Sequence, residues 1–190
     1  MLKKVKNNIA QRNALIVFLI TAFYLMMMSG IYHSFYPGLA RNIFQRLDYS
    51  GIFALIAGTF TIVQVLLFRG WWRWSVILLV WISGIIGITL IILKFDDLSL
   101  TPKLAILLGQ GWLSGLAIVK AFKMYALKEL IYGLTGGLIY TSGTYFLVTN
   151  EPVISKGIFE GHEVWHFFVV AGLSFHLKFV WDRLNILPAD

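Results

Sequence analysis

Residues 14–33 read ALIVFLITAFYLMMMSGIYH, a stretch without a single Lys, Arg, Asp or Glu. An α-helix rises 1.5 Å per residue, so such a run is about 30 Å long, the thickness of a bilayer's hydrocarbon core. It follows the basic, polar segment MLKKVKNNIAQRN at residues 1–13. A basic start and an apolar run also describe a secretory leader, but this run exceeds a leader's apolar region and carries no A-x-A cleavage pattern. It is therefore read as a membrane span. Working outward, five further runs qualify, at about 49–68, 74–93, 104–121, 129–149 and 161–181, joined by short loops.

Composition agrees. Hydrophobic residues make up 58% of the 190 positions and charged residues 13%, against about 45–50% and 25% in soluble domains. This excludes a water-soluble globule, a disordered tail and a fibre. The expectation is an all-α, polytopic membrane helix bundle with six transmembrane helices, forming one integral membrane domain over residues 1–190. With no cysteine in the chain, disulfides and thiolate ligands are excluded as well.

The net charge of +7 reports orientation rather than a nucleic-acid partner. Of the 16 Lys and Arg, 11 fall on one side of the six spans: Lys3, Lys4, Lys6, Arg12, Arg69, Arg73, Lys120, Lys123, Lys128, Lys178 and Arg183. The other 5 are Arg41, Arg46, Lys94, Lys103 and Lys156. The positive-inside rule then places both termini in the cytoplasm. Trp71, Trp72 and Trp74 fall at a membrane boundary, where Trp anchors helices. Gly109, Gly111, Gly133, Gly136, Gly137 and Gly143 lie within spans, and Gly133-x-x-x-Gly137 is a small-residue pattern suited to helix packing.

The scarce polar residues carry the functional information. The 4 histidines are His33, His162, His166 and His176. His162 and His166 are i and i+4, on one face of one helix. Ser29 is one turn before His33, and Asp48 is read at the start of the second span. With six spans, the first helix ends, and the second and sixth begin, at the same membrane face. His33, Asp48, His162 and His166 thus share one level. Three imidazoles with a carboxylate suit Zn²⁺ with one position open to water. His176 lies about 15 Å further along its helix, which suits packing or hydrogen bonding. Plain structural readings stand beside these: Asp48 as an N-cap, Ser29 bonded to its own helix, and His162 and His166 facing lipid headgroups, with Glu163 turned off their face. No Walker, G-x-S-x-G or H-E-x-x-H pattern occurs.

These residues resemble the hemolysin III family, within the progestin and adipoQ receptor (adiponectin receptor) superfamily. The resemblance rests on Ser29-Gly-Ile-Tyr-His33, Leu47-Asp48-Tyr49-Ser50-Gly51-Ile52, Leu55 to Thr61, Gly111-Trp112, Gly136 to Tyr140, and His162-Glu163-Val164-Trp165-His166 with His176 beyond. It implies Zn²⁺ held by His33, His162 and His166, with Asp48 orienting the zinc-bound water and Ser29 nearby. The related receptors and alkaline ceramidases imply hydrolysis of a membrane lipid amide, with Asp48 and Ser29 as the catalytic side chains. Members of that family usually have seven spans, and the resemblance implies a chain of six that lacks the span before the S-x-x-x-H helix and retains all the metal ligands. Ile62 stands where the family often has Pro after the Thr-x-Thr pattern, which argues against a kink there. The eukaryotic receptors have this site at the cytoplasmic face, whereas the charge count here puts it near the outer face of a bacterial cell membrane.

Three functions follow for comparison. The leading expectation is a zinc-dependent hydrolase whose partners are membrane lipids. The second is a non-enzymatic lipid or stress sensor, receptor-like, with a structural zinc. The third is a pore-forming cytolysin, disfavoured because the spans show no polar stripe to line a lumen.

Overall fold

The computed structural model describes residues 1–5, 8–113, 115–155 and 159–186. Lys6 and Lys156, counted above for orientation, lie outside them, as does the side chain of Lys3. Among the described residues, a short 3-10 helix at Leu2–Val5 precedes seven α-helices. They are α1 (Ile9–Ser34), α2 (Leu39–Leu67), α3 (Gly70–Lys94), α4 (Leu100–Trp112), α5 (Gly115–Met124), α6 (Leu127–Thr149) and α7 (Gly161–Ile186). The described residues contain no β-strand, only an isolated bridge between Ser155 and Phe159. The all-α expectation is met.

Local chemistry sets the helix ends. Asn8 caps α1, its side-chain oxygen accepting from the Gln11 N–H at 3.0 Å, which satisfies one of the amides a helix start leaves unpaired. Glu129 reaches back to the Ala126 N–H at 3.0 Å and closes the first turn of α6. That helix stops at Asn150, whose φ of 54° and ψ of 26° are left-handed, a conformation Asn tolerates better than most side chains.

The contacts sort into two compact units, one built from the chain up to Val119 and the other from Lys120–Ile186. In the first, α1 and α2 form an antiparallel hairpin. Gln45 donates to the Tyr32 hydroxyl at 3.2 Å near the connection, and Gly51 and Gly58 further down lie directly against Leu25 and Thr21. Lipid tails are as apolar as leucine, so helices in a bilayer associate through close packing and hydrogen bonds. The glycines supply the first. The second ties α2 to α3 through Trp81 Nε1 donating to Thr61 Oγ1 at 3.0 Å and Arg46 donating to the Ile92 carbonyl at 3.0 Å and to Asp96 at 2.5 Å. Ala57, Val76 and Val80 form a buried cluster between the same two helices. Gln110 of α4 then closes this unit, its amide donating to the carbonyls of Phe53 at 3.1 Å and Val80 at 3.2 Å.

The second unit is the α6–α7 hairpin. Its contacts run from Arg183 on Glu129 at one end, through Phe179 on Gly133 and Phe168 on Gly143, to Gly161 against Phe146 at the other. The small-residue face is therefore Gly133, Gly136 and Gly143, not the expected Gly133–Gly137 pair. A β-carbon on Gly137, Gly109 or Gly111 would meet nothing within 4 Å among the described residues. The correction is geometric: Gly136 and Gly143 are seven residues apart and share one face against α7, while Gly137 is turned about 100° from Gly136.

Five stretches are long and apolar enough to cross a membrane: α1, α2, α3, Leu100–Met124 and α7. At 23 residues, α6 has the length. It is diluted by Gly133, Gly136, Gly137, Gly143, Thr135, Thr141, Thr144 and Ser142. Because it lies antiparallel along the whole of α7, a bilayer crossed by one is crossed by both. The sixth span is thus argued from pairing rather than from hydropathy.

Candidate functional site

In the first unit, α2 begins at Leu39, not near residue 49. Asp48 is thus more than two turns inside the helix, which removes its reading as an N-cap. The helix starts early because LARNIFQRL continues the helical register without a breaker after Pro37-Gly38. Asp48 lies between the Gln45–Tyr32 and Gly51–Leu25 contacts, level with Ser29 of α1. The carboxyl is fully buried, at 0% exposure. The Ser29 hydroxyl faces it closely enough to act on its charge, while neither Asp48 oxygen takes part in a well-formed hydrogen bond among the described residues. Burying a carboxyl without partners costs several kcal/mol on the order of a lost solvation shell, and intramembrane ionisable groups are usually functional.

His33, one turn beyond Ser29, is exposed at the end of α1. Its ring meets the Tyr32 ring edge-on, centroids 4.6 Å apart. Tyr32 is buried and doubly engaged: it accepts from Gln45, and the Arg41 guanidinium sits 5.2 Å over its ring.

In the second unit, the chain enters α7 through a local cap, the Glu160 N–H donating to the Glu163 carboxylate at 2.8 Å. That engagement turns Glu163 away from the histidine face, as expected. His162 and His166 then bring their Nε2 atoms to 2.9 Å, rings 4.7 Å apart and 67° from parallel. Two nitrogens on one tetrahedral Zn²⁺ at about 2.0–2.1 Å are about 3.3 Å apart, so a small opening of this pair makes it a two-nitrogen clamp. The donor set is chemically suited to zinc, and the pair is a histidine cluster able to hold a metal ion. Trp165 lies beside both rings, at 5.6 Å from His162 and 4.9 Å from His166.

His176 takes the packing role expected of it. Its Nδ1–H donates to the Gly172 carbonyl at 2.8 Å, and its ring stacks on Tyr140. It belongs to the hairpin seam, not to the ligand pair. Tyr32, Gln45 and Trp165 escaped the sequence reading. Adjacency of an aromatic to each histidine was the available signal, but an aromatic in an apolar helix is ordinary until its contacts are known.

A buried carboxyl and a clamp of imidazoles, carried by a helical bundle long and apolar enough to cross a bilayer, define an integral membrane protein with a candidate metal centre. Comparison with known proteins gives the family: the haemolysin-III-related family matches residues 1–177, and the chain belongs to it. It is 28% identical over 175 residues to a protein named Hemolysin-3 from Bacillus cereus, covering 92% of this chain and 76% of that one. It is 26% identical over 159 residues to the Hemolysin-3 homolog of Bacillus subtilis (strain 168), covering 82% and 70%.

Proposed function

We propose that this protein is a zinc-dependent hydrolase that cleaves an amide of a membrane lipid, with His33, His162 and His166 as the metal ligands. The observation that carries the reading is the convergence of His162 and His166 Nε2. The reading takes α6 as crossing with α7, so that α7 begins at the membrane face where α1 ends. His33 at the end of α1 then supplies a third nitrogen. When bound, zinc lowers the pKa of a coordinated water to about 7 and polarises a carbonyl. Asp48 takes the proton of the attacking water and passes it to the leaving amine. Ser29 orients the Asp48 carboxyl. The solvation Asp48 gives up on burial favours this reading over a purely structural zinc, which needs no buried carboxyl. By charge asymmetry the site faces outward and both termini are cytoplasmic.

The test is zinc content of purified protein, then turnover. Wild-type protein is expected to carry one zinc per chain, and His33→Ala, His162→Ala and His166→Ala to lose it. Asp48→Asn is expected to keep zinc and lose turnover of ceramide-type lipid amides in nanodiscs. Zinc retained in all three histidine variants overturns the ligand assignment. Zinc with no turnover by the wild type supports a lipid or stress sensor with structural zinc instead.

A further inference from the structure

The histidine pair has a support that its motif spacing does not reveal. His162 and His166 are one turn apart, and long side chains in that arrangement sample several rotamers. Two imidazoles present Nε2 to one point only in particular combinations of them. Here they do so with Trp165 between them in sequence and beside both in space. The indole is 3% exposed and cannot swing away, because α6 closes on it from behind. The hairpin is closely packed there: a β-carbon on Gly143 would stand 2.5 Å from Phe168 Cβ and 3.3 Å from Trp165 Cδ1. Only a residue without a side chain lets α6 approach this far, and the approach leaves the indole one place, against the two imidazoles.

We infer that Trp165 is a positioning residue for the candidate metal centre, holding the His162 and His166 rings in the converged arrangement, with Gly143 as the backstop that fixes the indole. This rests on the metal reading above and adds to it how the ligands are pre-set. Trp165 touches neither metal nor substrate in this role. It acts through the rings, as residues around a metal's direct ligands do when they fix imidazole orientation, and loss of such support typically lowers metal affinity about 10–100-fold.

The experiment uses full-length protein in detergent or nanodiscs, with zinc removed and Co²⁺ titrated as the probe. Co²⁺ reports affinity, and its visible absorption reports ligand geometry. Trp165→Ala is expected to weaken Co²⁺ binding about 10–100-fold and to shift or broaden the visible bands. Trp165→Phe keeps a ring in the same place and is expected to restore both. Phe168→Ala is the control: Phe168 packs in the same hairpin, on Phe146 at 5.0 Å, without a ring contact to either histidine among those described. It is expected to lower thermal stability and leave the Co²⁺ spectrum unchanged. Wild-type affinity and spectrum in Trp165→Ala overturn the proposal, as does a Phe168→Ala variant as impaired in Co²⁺ binding as Trp165→Ala. Failure of the wild type to bind Co²⁺ or zinc removes the metal reading itself, and this proposal with it.

Discussion

His176 and Tyr140 stack across the α6–α7 seam, ring centroids 5.4 Å apart and planes 22° from parallel. The stack exists because Gly136 and Gly172 leave room for it: a β-carbon on Gly136 would collide with the His176 ring, and one on Gly172 would stand 2.8 Å from the Tyr140 ring. Gly136→Leu is therefore expected to force the hairpin apart and cost about 1–3 kcal/mol, as overpacking does. Gly137→Leu, one residue away, has open space to occupy and is expected to be near neutral. Thermal unfolding in detergent compares the two, and equal effects would overturn the assigned face.

At the other end of the same hairpin, Arg183 Nη1 donates to Glu129 Oε1 at 2.6 Å, and its guanidinium lies 4.5 Å over the Tyr125 ring. Arg183 is buried and Glu129 partly exposed. Removing one partner leaves the other's charge uncompensated, so single variants overstate the pair. A double-mutant cycle with Arg183→Met and Glu129→Gln is expected to show coupling of about 0.5–3 kcal/mol, and additive effects would show that the pair is not coupled.

Gln110 is the polar tie of α4 to α2 and α3. Gln110→Leu keeps the volume and removes both hydrogen bonds. The carbonyls of Phe53 and Val80 lie within helices, so the expected loss is modest, about 0.5–1.5 kcal/mol. Gly84→Ala reaches the same contact from the opposite side, its β-carbon standing 2.7 Å from Gln110 Nε2. Combined with Gln110→Leu it is expected to be less than additive, which a thermal-unfolding cycle measures.

Whether α6 crosses the membrane decides the topology. Pairing with α7 predicts six crossings and termini on the same side. Hydropathy alone gives five and puts the termini on opposite sides. Paired topology reporters, one at each terminus, are expected to read the cytoplasm at both. Opposite readings would put the start of α7 on the other face from the end of α1 and remove His33 from the ligand set.

Asp48 carries the site's cost to stability. Its carboxyl is buried and neither oxygen takes part in a well-formed hydrogen bond among the described residues, so Asp48→Leu is expected to raise the stability of metal-free protein by about 1–3 kcal/mol while abolishing turnover. A lower melting temperature for Asp48→Leu would mean that the carboxyl is held by partners in solution.

Much of the fold was legible in one dimension. Bilayer thickness imposes length and apolarity on any spanning segment, so the runs containing Phe18, Ile52, Val80 and Val169 declare themselves. The i, i+4 spacing of His162 and His166 is likewise a local property, and the structure brings their nitrogens together as the spacing suggested. Boundaries were less legible. Asp48 read as a helix start because the apolar signal begins beside it, whereas α2 begins at Leu39; polar turns extend a helix without changing its hydropathy. The span at α6 was legible as a run, but its glycine face was not, since Gly133, Gly136 and Gly137 look alike until a partner helix selects among them.

Composition alone set the class of protein, because a chain with 58% hydrophobic and 13% charged residues has no soluble way to bury its surface. It also determined which side chains were available for chemistry, because ionisable groups are too costly in a bilayer to be plentiful. How those groups are held depends on helix packing, which no local pattern encodes. That Gly143 of α6 stands against Trp165 of α7 and that Asp48 of α2 is buried opposite Ser29 of α1 are consequences of how closely neighbouring helices approach. That distance is set jointly by side chains far apart in the chain.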